Sequence, residues 1–261
     1  MATAFASRPP NAGPGVIPYI TAGFPKLDDT VRILREFELA GCLAAEIGIP
    51  HSDPLADGPT IQKTGRLAID NGMTLGLGLE QASSARAHGV SIPLVVMTCF
   101  NLIHAYGLGR FVFDAVHSGV DGVIVPDLPL EESLGLRAIC QSLGLAFVPM
   151  VAPTTPDSRI RETCEQATGF VYCVSVTGTT GARQNVGPEA YDLLTRVRNC
   201  TLMPRALGFG ISGRAHLDSM KGACEAVIVA SALMDSLWER GHADAASTVA
   251  RFLDEMLRDP T

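Results

Sequence analysis

The sequence has no apolar run long enough to cross a bilayer as a helix. Its longest runs, such as Ile92 to Phe100 and Gly122 to Pro126, are strand-sized, against the roughly 20 residues that a span requires. Nor is there a surplus of basic residues: 20 Lys and Arg against 27 Asp and Glu leave a net charge of −7, with the two signs interspersed. That removes the electrostatic footprint of a nucleic-acid-binding protein. CxxC pairs are also missing among the seven cysteines at 42, 99, 140, 164, 173, 200 and 224. An odd set of unpaired cysteines, mostly in apolar stretches, argues against a disulfide framework or a zinc site. Cys as a small hydrophobe in a reducing cytosol fits better, and no metal is expected. The opening MATAFASRPPNAGPG has neither a positive n-region nor a long apolar h-region, so it does not read as a secretory signal. No low-complexity linker divides the chain, and residues 1–261 read as one domain.

What is present is apolar material in short, regular doses. Hydrophobic residues make up 47% of the chain and charged ones 18%, enough for a sizeable core. Strand-like runs fall near 17–21, 43–49, 92–98, 121–126, 145–151, 169–175, 204–209 and 225–230. They are nearly continuous in apolar residues, as parallel strands buried on both faces should be. Amphipathic segments alternate with them. Asp28–Ala40 carries Val31, Ile33, Leu34, Phe37 and Leu39, and Leu108–Ser118, Leu130–Leu143 and Asp157–Ala167 are further helix candidates. Gly41, Gly89, Gly119 and Gly144 each follow such a segment, the signal of a helix C-terminus. Eight β-then-α units predict a closed (β/α)₈ TIM barrel. An open doubly wound sheet is the alternative, but the first βα turn reads AGFP and not GxGxxG.

In a barrel, chemistry collects where strands end and loops begin. Glu46 interrupts the second predicted strand. A carboxyl facing a barrel interior is costly if unpaired and holds its proton more tightly there, which suits proton transfer at neutral pH. The other readings of Glu46 are a partner for an internal Arg or Lys, or a helix cap. The loop beyond carries Asp53 before Pro and Asp57 before Gly, which taken singly are turn chemistry. Three late loops then supply small residues: Val-Thr-Gly178-Thr-Thr-Gly181, Gly208-Phe-Gly210-Ile-Ser212 and Ala230-Ser231-Ala232. Backbone N–H groups at glycines and helix starts bind phosphate, and the loops after the last two barrel strands are its usual place. A phosphorylated small-molecule substrate follows.

The segment EIGIPHSDPLADGPTIQ, residues 46–62, resembles the second-strand signature of tryptophan synthase α subunits, whose usual form is E-[LI]-G-[VIL]-P-[FY]-S-D-P-x-A-D-G-P-x-I-Q. IPYITAGFP, MTCFNLIHAYG, VPDLPLEES, VSVTGTTGAR and GFGIS fall in that family's order, so the resemblance covers nearly the whole chain. It implies retro-aldol cleavage of indole-3-glycerol phosphate to indole and glyceraldehyde 3-phosphate, in the last steps of tryptophan biosynthesis. It assigns Glu46 as general acid/base and Asp57 as its partner. Tyr19, Cys99, Tyr172 and Thr180 fall on substrate-pocket positions, and Gly181, Gly210 and Ser231 on phosphate-binding ones. Packed strand aromatics (Tyr19, Tyr172) and loop filler (Thr180) are the plainer readings of the same residues. The family works in the cytoplasm with a β subunit in an α₂β₂ heterotetramer, and Asp53, Asn101, Pro129 and Glu132 correspond to β-facing positions. No cofactor is expected in this chain; pyridoxal phosphate belongs to the β partner.

The chain departs from the family pattern at several places. His51 replaces Phe or Tyr, Cys99 stands where an aromatic residue is frequent, and Tyr19 where phenylalanine is. Ala230 replaces the Gly that usually precedes Ser231. Pro9, Pro10 and Pro14 argue against the N-terminal helix that plugs the barrel bottom. Two rival functions accompany these changes. A stand-alone lyase would release indole without a partner, and a weakly catalytic regulatory subunit would stimulate a β partner while turning over little substrate.

Overall fold

A computed structural model describes residues 1–9, 12–54, 57–174, 187–208, 210–211, 213–240 and 244–258. The strand segments are β1 (Gly15–Thr21), β2 (Ala45–Gly48), β3 (Leu94–Met97), β4 (Gly122–Ile124), β5 (Ala146–Phe147), β6 (Met150–Val151), β7 (Val171–Val174), β8 (Arg205–Gly208) and β9 (Ala226–Val229). The helices begin with α1 (Ala2–Ala6), α2 (Asp29–Leu39), α3 (Pro59–Asp70), α4 (Leu75–Ala87), α5 (Phe100–Tyr106) and α6 (Leu108–His117). They continue with α7 (Leu134–Leu143), α8 (Asp157–Gln166), α9 (Pro188–Arg198), α10 (Arg214–Ser219), α11 (Ser231–Arg240) and α12 (Ala245–Leu257).

All pairings are parallel, in the order β5-β4-β3-β2-β1-β9-β8-β7-β6. The two end segments, β5 and β6, are separated in the chain only by Val148 and Pro149. Hydrogen bonds continue across that gap: Val148 N–H donates to Val123 O at 3.0 Å, and Tyr172 N–H donates to Pro149 O at 3.0 Å. They are therefore two halves of one stave, joined at a proline that has no N–H to donate. The sheet closes as the predicted eight-staved barrel.

Strand alternation sorts the side chains into two cores. Val16, Ile20, Val96, Val123, Val171, Leu207 and Val227 face outward and pack with helix residues such as Ile33, Leu34, Phe37 and Val249. Ile17, Val95, Ile124, Val148, Phe170, Ala206 and Ile228, one residue out of phase, fill the barrel. Successive residues of a strand point to opposite faces, so a nearly unbroken apolar run serves both cores.

The ends differ from expectation. Most strands are two or three residues shorter than predicted, while β1 starts earlier, at Gly15. Helix α7 starts at Leu134 rather than Leu130, because residues 130–133 form a turn in which Glu132 and Ser133 N–H both donate to Pro129 O at 3.1 Å. Leu39 is 74% exposed rather than part of the buried stripe of α2. The N-terminal helix does form, confined to the residues before the prolines. Its Phe5 ring lies 5.8 Å from that of Phe170, and Met1 and Ala4 join the same inner cluster at the barrel bottom. The seven cysteines are free, five of them buried. Among the described residues no helix is long and apolar enough to cross a membrane.

Candidate active site

The C-terminal end of the barrel is where its interior turns polar. Moving two residues along a strand takes the inner face from Ile17 to Tyr19, from Ala44 to Glu46 and from Phe170 to Tyr172. Tyr19 and Glu46 are register partners on β1 and β2, and both are buried. Their closeness depends on two glycines. A Cβ on Gly48 would lie 2.0 Å from the Tyr19 hydroxyl oxygen, and one on Gly208 would lie 2.3 Å from that of Tyr172. Each tyrosine thus fills the place of a missing side chain at the end of the next stave.

Glu46 is 1% exposed, and among the described residues its Oε2 has no hydrogen-bond partner. Among the described residues, no Lys or Arg forms an ion pair with Glu46. Burial, with a smaller contribution from nearby Asp57, raises its carboxyl pKa from 4.5 to about 8. Asp57 is raised too, to about 6, mainly by burial and against the opposing influence of His51. At neutral pH one carboxyl is therefore a proton carrier and the other an anion. Burial drives the Tyr19 and Tyr172 phenols far upward, so both stay protonated.

Asp57 is held by a folded loop. Its N–H donates to Pro54 O at 3.1 Å, and the Gln62 side-chain amide donates to its carbonyl at 2.8 Å. Gly58 precedes helix α3, with Pro59 at its first position, where a missing N–H costs nothing. His51 has a structural task here: its Nδ1 accepts from Asp53 N–H at 3.1 Å, bracing the turn that leads to Asp57. The Thr60 hydroxyl donates to Asp235 on α11 at 2.9 Å, tying the start of α3 to the helix that opens with Ser231.

A cavity of about 330 Å³ opens beside these groups, lined by Tyr19, Gly48, Asp57, Met97, Thr98 and Cys99, with His51, Asp53 and Asn101 toward its rim. Cys99 stands just before α5, whose first N–H, from Phe100, donates to Asp127 at 2.8 Å; burial first, then nearby carboxylates, push its thiol up to about 11. The wall is mostly apolar, with few convergent polar groups, the usual make-up of a small-molecule site.

The fold thus brings Glu46, Asp57, Tyr19, Tyr172 and Cys99 together, with Asp53 and Asn101 exposed on the same face. Pro129 and Glu132 are exposed on the turn after β4. Gly210, in left-handed conformation at φ 80°, follows β8, and Ser231 opens α11 after β9. Ala230 O accepts the Met234 N–H at 3.0 Å, so the next N–H groups lie at the free start of a helix. Thr180 and Gly181 lie outside the described residues. Sequence reading missed Thr98, whose buried hydroxyl has no partner among the described residues, and Thr21 and Thr64, whose buried hydroxyls lie 2.9 Å apart. A hydroxyl residue at a strand's C-terminal end was a usable signal for Thr21 and Thr98. Mid-helix Thr64 carried none.

Two carboxyls poised on opposite sides of neutrality at the mouth of a (β/α)₈ barrel define an acid–base barrel enzyme. The tryptophan synthase alpha chain family model matches residues 5–258. A tryptophan synthase alpha chain from Chloroflexus aurantiacus is 41% identical over 242 residues, covering 93% of this chain and 91% of that one. One from Bacillus cereus is 41% identical over 230 residues, covering 87% and 88%. The tryptophan synthase α subunit of Pyrococcus furiosus superposes with a TM-score of 0.87 at 37% identity, covering 94% and 98% of the two chains. The chain belongs to the tryptophan synthase alpha chain family.

Proposed function

We propose that this chain cleaves indole-3-glycerol phosphate to indole and glyceraldehyde 3-phosphate as the α subunit of a tryptophan synthase, acting as a single barrel domain. The observation that carries this reading is the buried Glu46 carboxyl, whose Oε2 has no partner among the described residues and which keeps its proton to about pH 8 beside an Asp57 that loses its own near 6.

The chemistry needs that pairing. The bond from indole C3 to the glycerol chain breaks only after C3 accepts a proton, which turns the ring into an electron sink. Neutral Glu46 delivers it. Positive charge then develops at the ring nitrogen, and anionic Asp57, close to N1–H, stabilises it. The Glu46 carboxylate next takes the proton of the side-chain hydroxyl. The C–C electron pair returns to the ring, the aldehyde forms, and Glu46 regains its starting state. A positioned proton donor contributes about 10²–10⁴-fold. Tyr172, Tyr19 and Cys99 enclose the indole, and Thr180 meets Asp57 when the site closes and water leaves. Gly181, Gly210 and the α11 start at Ser231 hold the phosphate through backbone N–H groups.

Asp53, Asn101, Pro129 and Glu132, exposed on the face where the pocket opens, meet the β subunit in an α₂β₂ heterotetramer in the cytoplasm. That partner holds pyridoxal phosphate; this chain works without a cofactor of its own. The test is indole release by the purified protein, alone and with a β subunit, beside Glu46→Gln. Slow release alone, strong stimulation by β and loss in the variant are expected. Fast release that β does not change would point to a stand-alone lyase, and no release from folded protein in either condition would overturn the reading.

A further inference from the structure

Helices α3 and α11 meet at two matched points one turn apart. The Thr60 hydroxyl donates to Asp235 Oδ1 at 2.9 Å, and Lys63 Nζ lies 3.5 Å over the Trp238 ring. Both contacts step forward by three residues, so the two helices run parallel and in register. Residues three apart share a helix face, which sets Thr60 with Lys63 against Asp235 with Trp238. Phe24, fully buried in the loop after β1, stacks on Trp238 with ring centroids 5.8 Å apart and planes 6° apart.

Each of these helices starts at a part of the site. Asp57 stands two residues ahead of α3, and the Gln62 side-chain amide donates to its carbonyl at 2.8 Å, so Asp57 moves with the first turn of that helix. Ser231 opens α11, and Asp235 lies about 6 Å further along its axis. On the other face of α3, Thr64 Oγ1 lies 2.9 Å from Thr21 Oγ1 of β1. That contact holds α3 against the barrel, whereas the Thr60–Asp235 bond sets where its first turn stands relative to α11. One exposed hydrogen bond adds little to global stability. Its consequence is local, because a displacement of about 1 Å in a reacting geometry costs up to about 10²-fold in rate.

We propose that Thr60 and Asp235 are positioning residues for Asp57: their hydrogen bond, backed by Lys63 on Trp238, fixes the Asp57 loop to the helix whose start receives the substrate phosphate. This rests on the reading of Asp57 as the partner acid and of the α11 start as a phosphate site. The substrate carries its phosphate and its ring nitrogen at the two ends of one short chain. A site that grips the phosphate at one helix start and meets N1–H with a carboxylate ahead of another needs those two starts held at a matching separation. Binding energy from the phosphate is then spent on orientation at the ring.

Thr60→Val removes the bond and keeps the branched shape. It is expected to lower kcat for indole release about 10-fold, with KM and the Kd of glycerol 3-phosphate changed less than about 2-fold. Asp235→Ala should do the same, the double variant should lose no more than either single one, and Thr60→Ser should restore the rate. In an Asp57→Asn background Thr60→Val should have almost no further effect, because the bond acts through Asp57. A second readout needs no turnover. Burial is the main cause of the raised Asp57 pKa, so a loop released from α11 gains water, and the titration moves from about 6 toward 3.8 by about half a unit or more. Infrared difference spectroscopy of the carboxyl reads it, with Asp57→Asn identifying the band. The groups that act on Asp57 or respond to it are His51 on its own loop, Glu46 on β2, Tyr19 on β1, Tyr172 on β7 and Cys99 after β3, and Thr60→Val replaces none of them. An unmoved Asp57 band or an unchanged kcat in folded Thr60→Val overturns the proposal. So does a loss confined to KM or to glycerol 3-phosphate affinity, or one equally large in the Asp57→Asn background. A band that moves in a protein that releases no indole would sink the proposed function and leave the bridge from α3 to α11 standing.

Discussion

The two ends of this barrel treat charge in opposite ways. At the bottom, Arg86 uses every guanidinium N–H. Nε and Nη2 donate to Gly119 O, Nη1 to Val90 O and Ile92 O at 2.8 Å each, and Nη2 also to Asp121 at 2.6 Å. Asp121 in turn accepts the Leu94 N–H at 2.9 Å, so one ion pair joins α4 to the starts of β3 and β4. Arg205 and Glu225 do the same beneath β8, with contacts of 2.7 and 3.1 Å. At the top, Glu46 is buried with no ion-pair partner among the described residues. Satisfied charge stabilises the closed sheet. An unpaired buried carboxyl is a cost retained where a proton has to move.

The sharpest break of this comparison is Glu46→Gln. Activity should fall by about 10²–10⁴-fold, while stability moves the other way. Because folding raises the Glu46 pKa from 4.5 to about 8, the native state binds the extra proton between those values. Native stability therefore falls as pH rises through that window, by an amount on the order of 5 kcal/mol. Urea melts of wild type and variant should accordingly diverge between pH 5 and 9, with the variant the more stable on the alkaline side. A wild type whose midpoint ignored that window would show that Glu46 is not held neutral.

Arg86→Ala should behave inversely, losing about 3 kcal/mol of stability because the Asp121 carboxylate and three carbonyls lose their donor. Turnover per folded molecule should be unchanged; a fall in kcat at full occupancy of the native state would join the two ends energetically. Gly48→Ala sits between these cases. Its methyl would displace the Tyr19 ring, costing about 1–3 kcal/mol and lowering kcat, and a crystal structure with an unmoved ring would refute the close-packing argument.

The smallest effect belongs to His51→Phe. The ring lowers the Asp57 pKa and its Nδ1 braces the Asp53 turn. The acid limb of kcat/KM, set near pH 6 by Asp57, should therefore move up by a few tenths of a unit. A limb that stayed in place would confine His51 to turn geometry.

Much of this was open to reading along the chain, for physical reasons that differ by element. Parallel strands buried on both faces must be nearly continuous in apolar residues, so the staves stood out, and Glu46 stood out as the interruption. The acids of residues 46–62 were visible because the motif is local. The contact between Thr21 and Thr64 was not visible, since the two are 43 residues apart and only barrel closure brings β1 against α3. Asp127, whose contact with the Phe100 N–H spans 27 residues of chain, escaped notice for the same reason. Element ends were the weakest reading: Leu130 has the character of a helix residue, but residues 130–133 form a turn with the Glu132 and Ser133 N–H groups both on Pro129 O, and the helix begins only at Leu134.

By itself the sequence determined the class of fold, the order of staves and helices, and which carboxyls stand at the mouth, because periodicity and loop motifs are properties of neighbours in the chain. Only the tertiary structure decided that Glu46 is buried with no ion-pair partner among the described residues, that Met1 and Phe5 close the bottom despite the prolines, and that Thr21 of β1 meets Thr64 of α3. Protonation depends on everything within a few ångströms in three dimensions, and a barrel draws those surroundings from staves far apart in the chain.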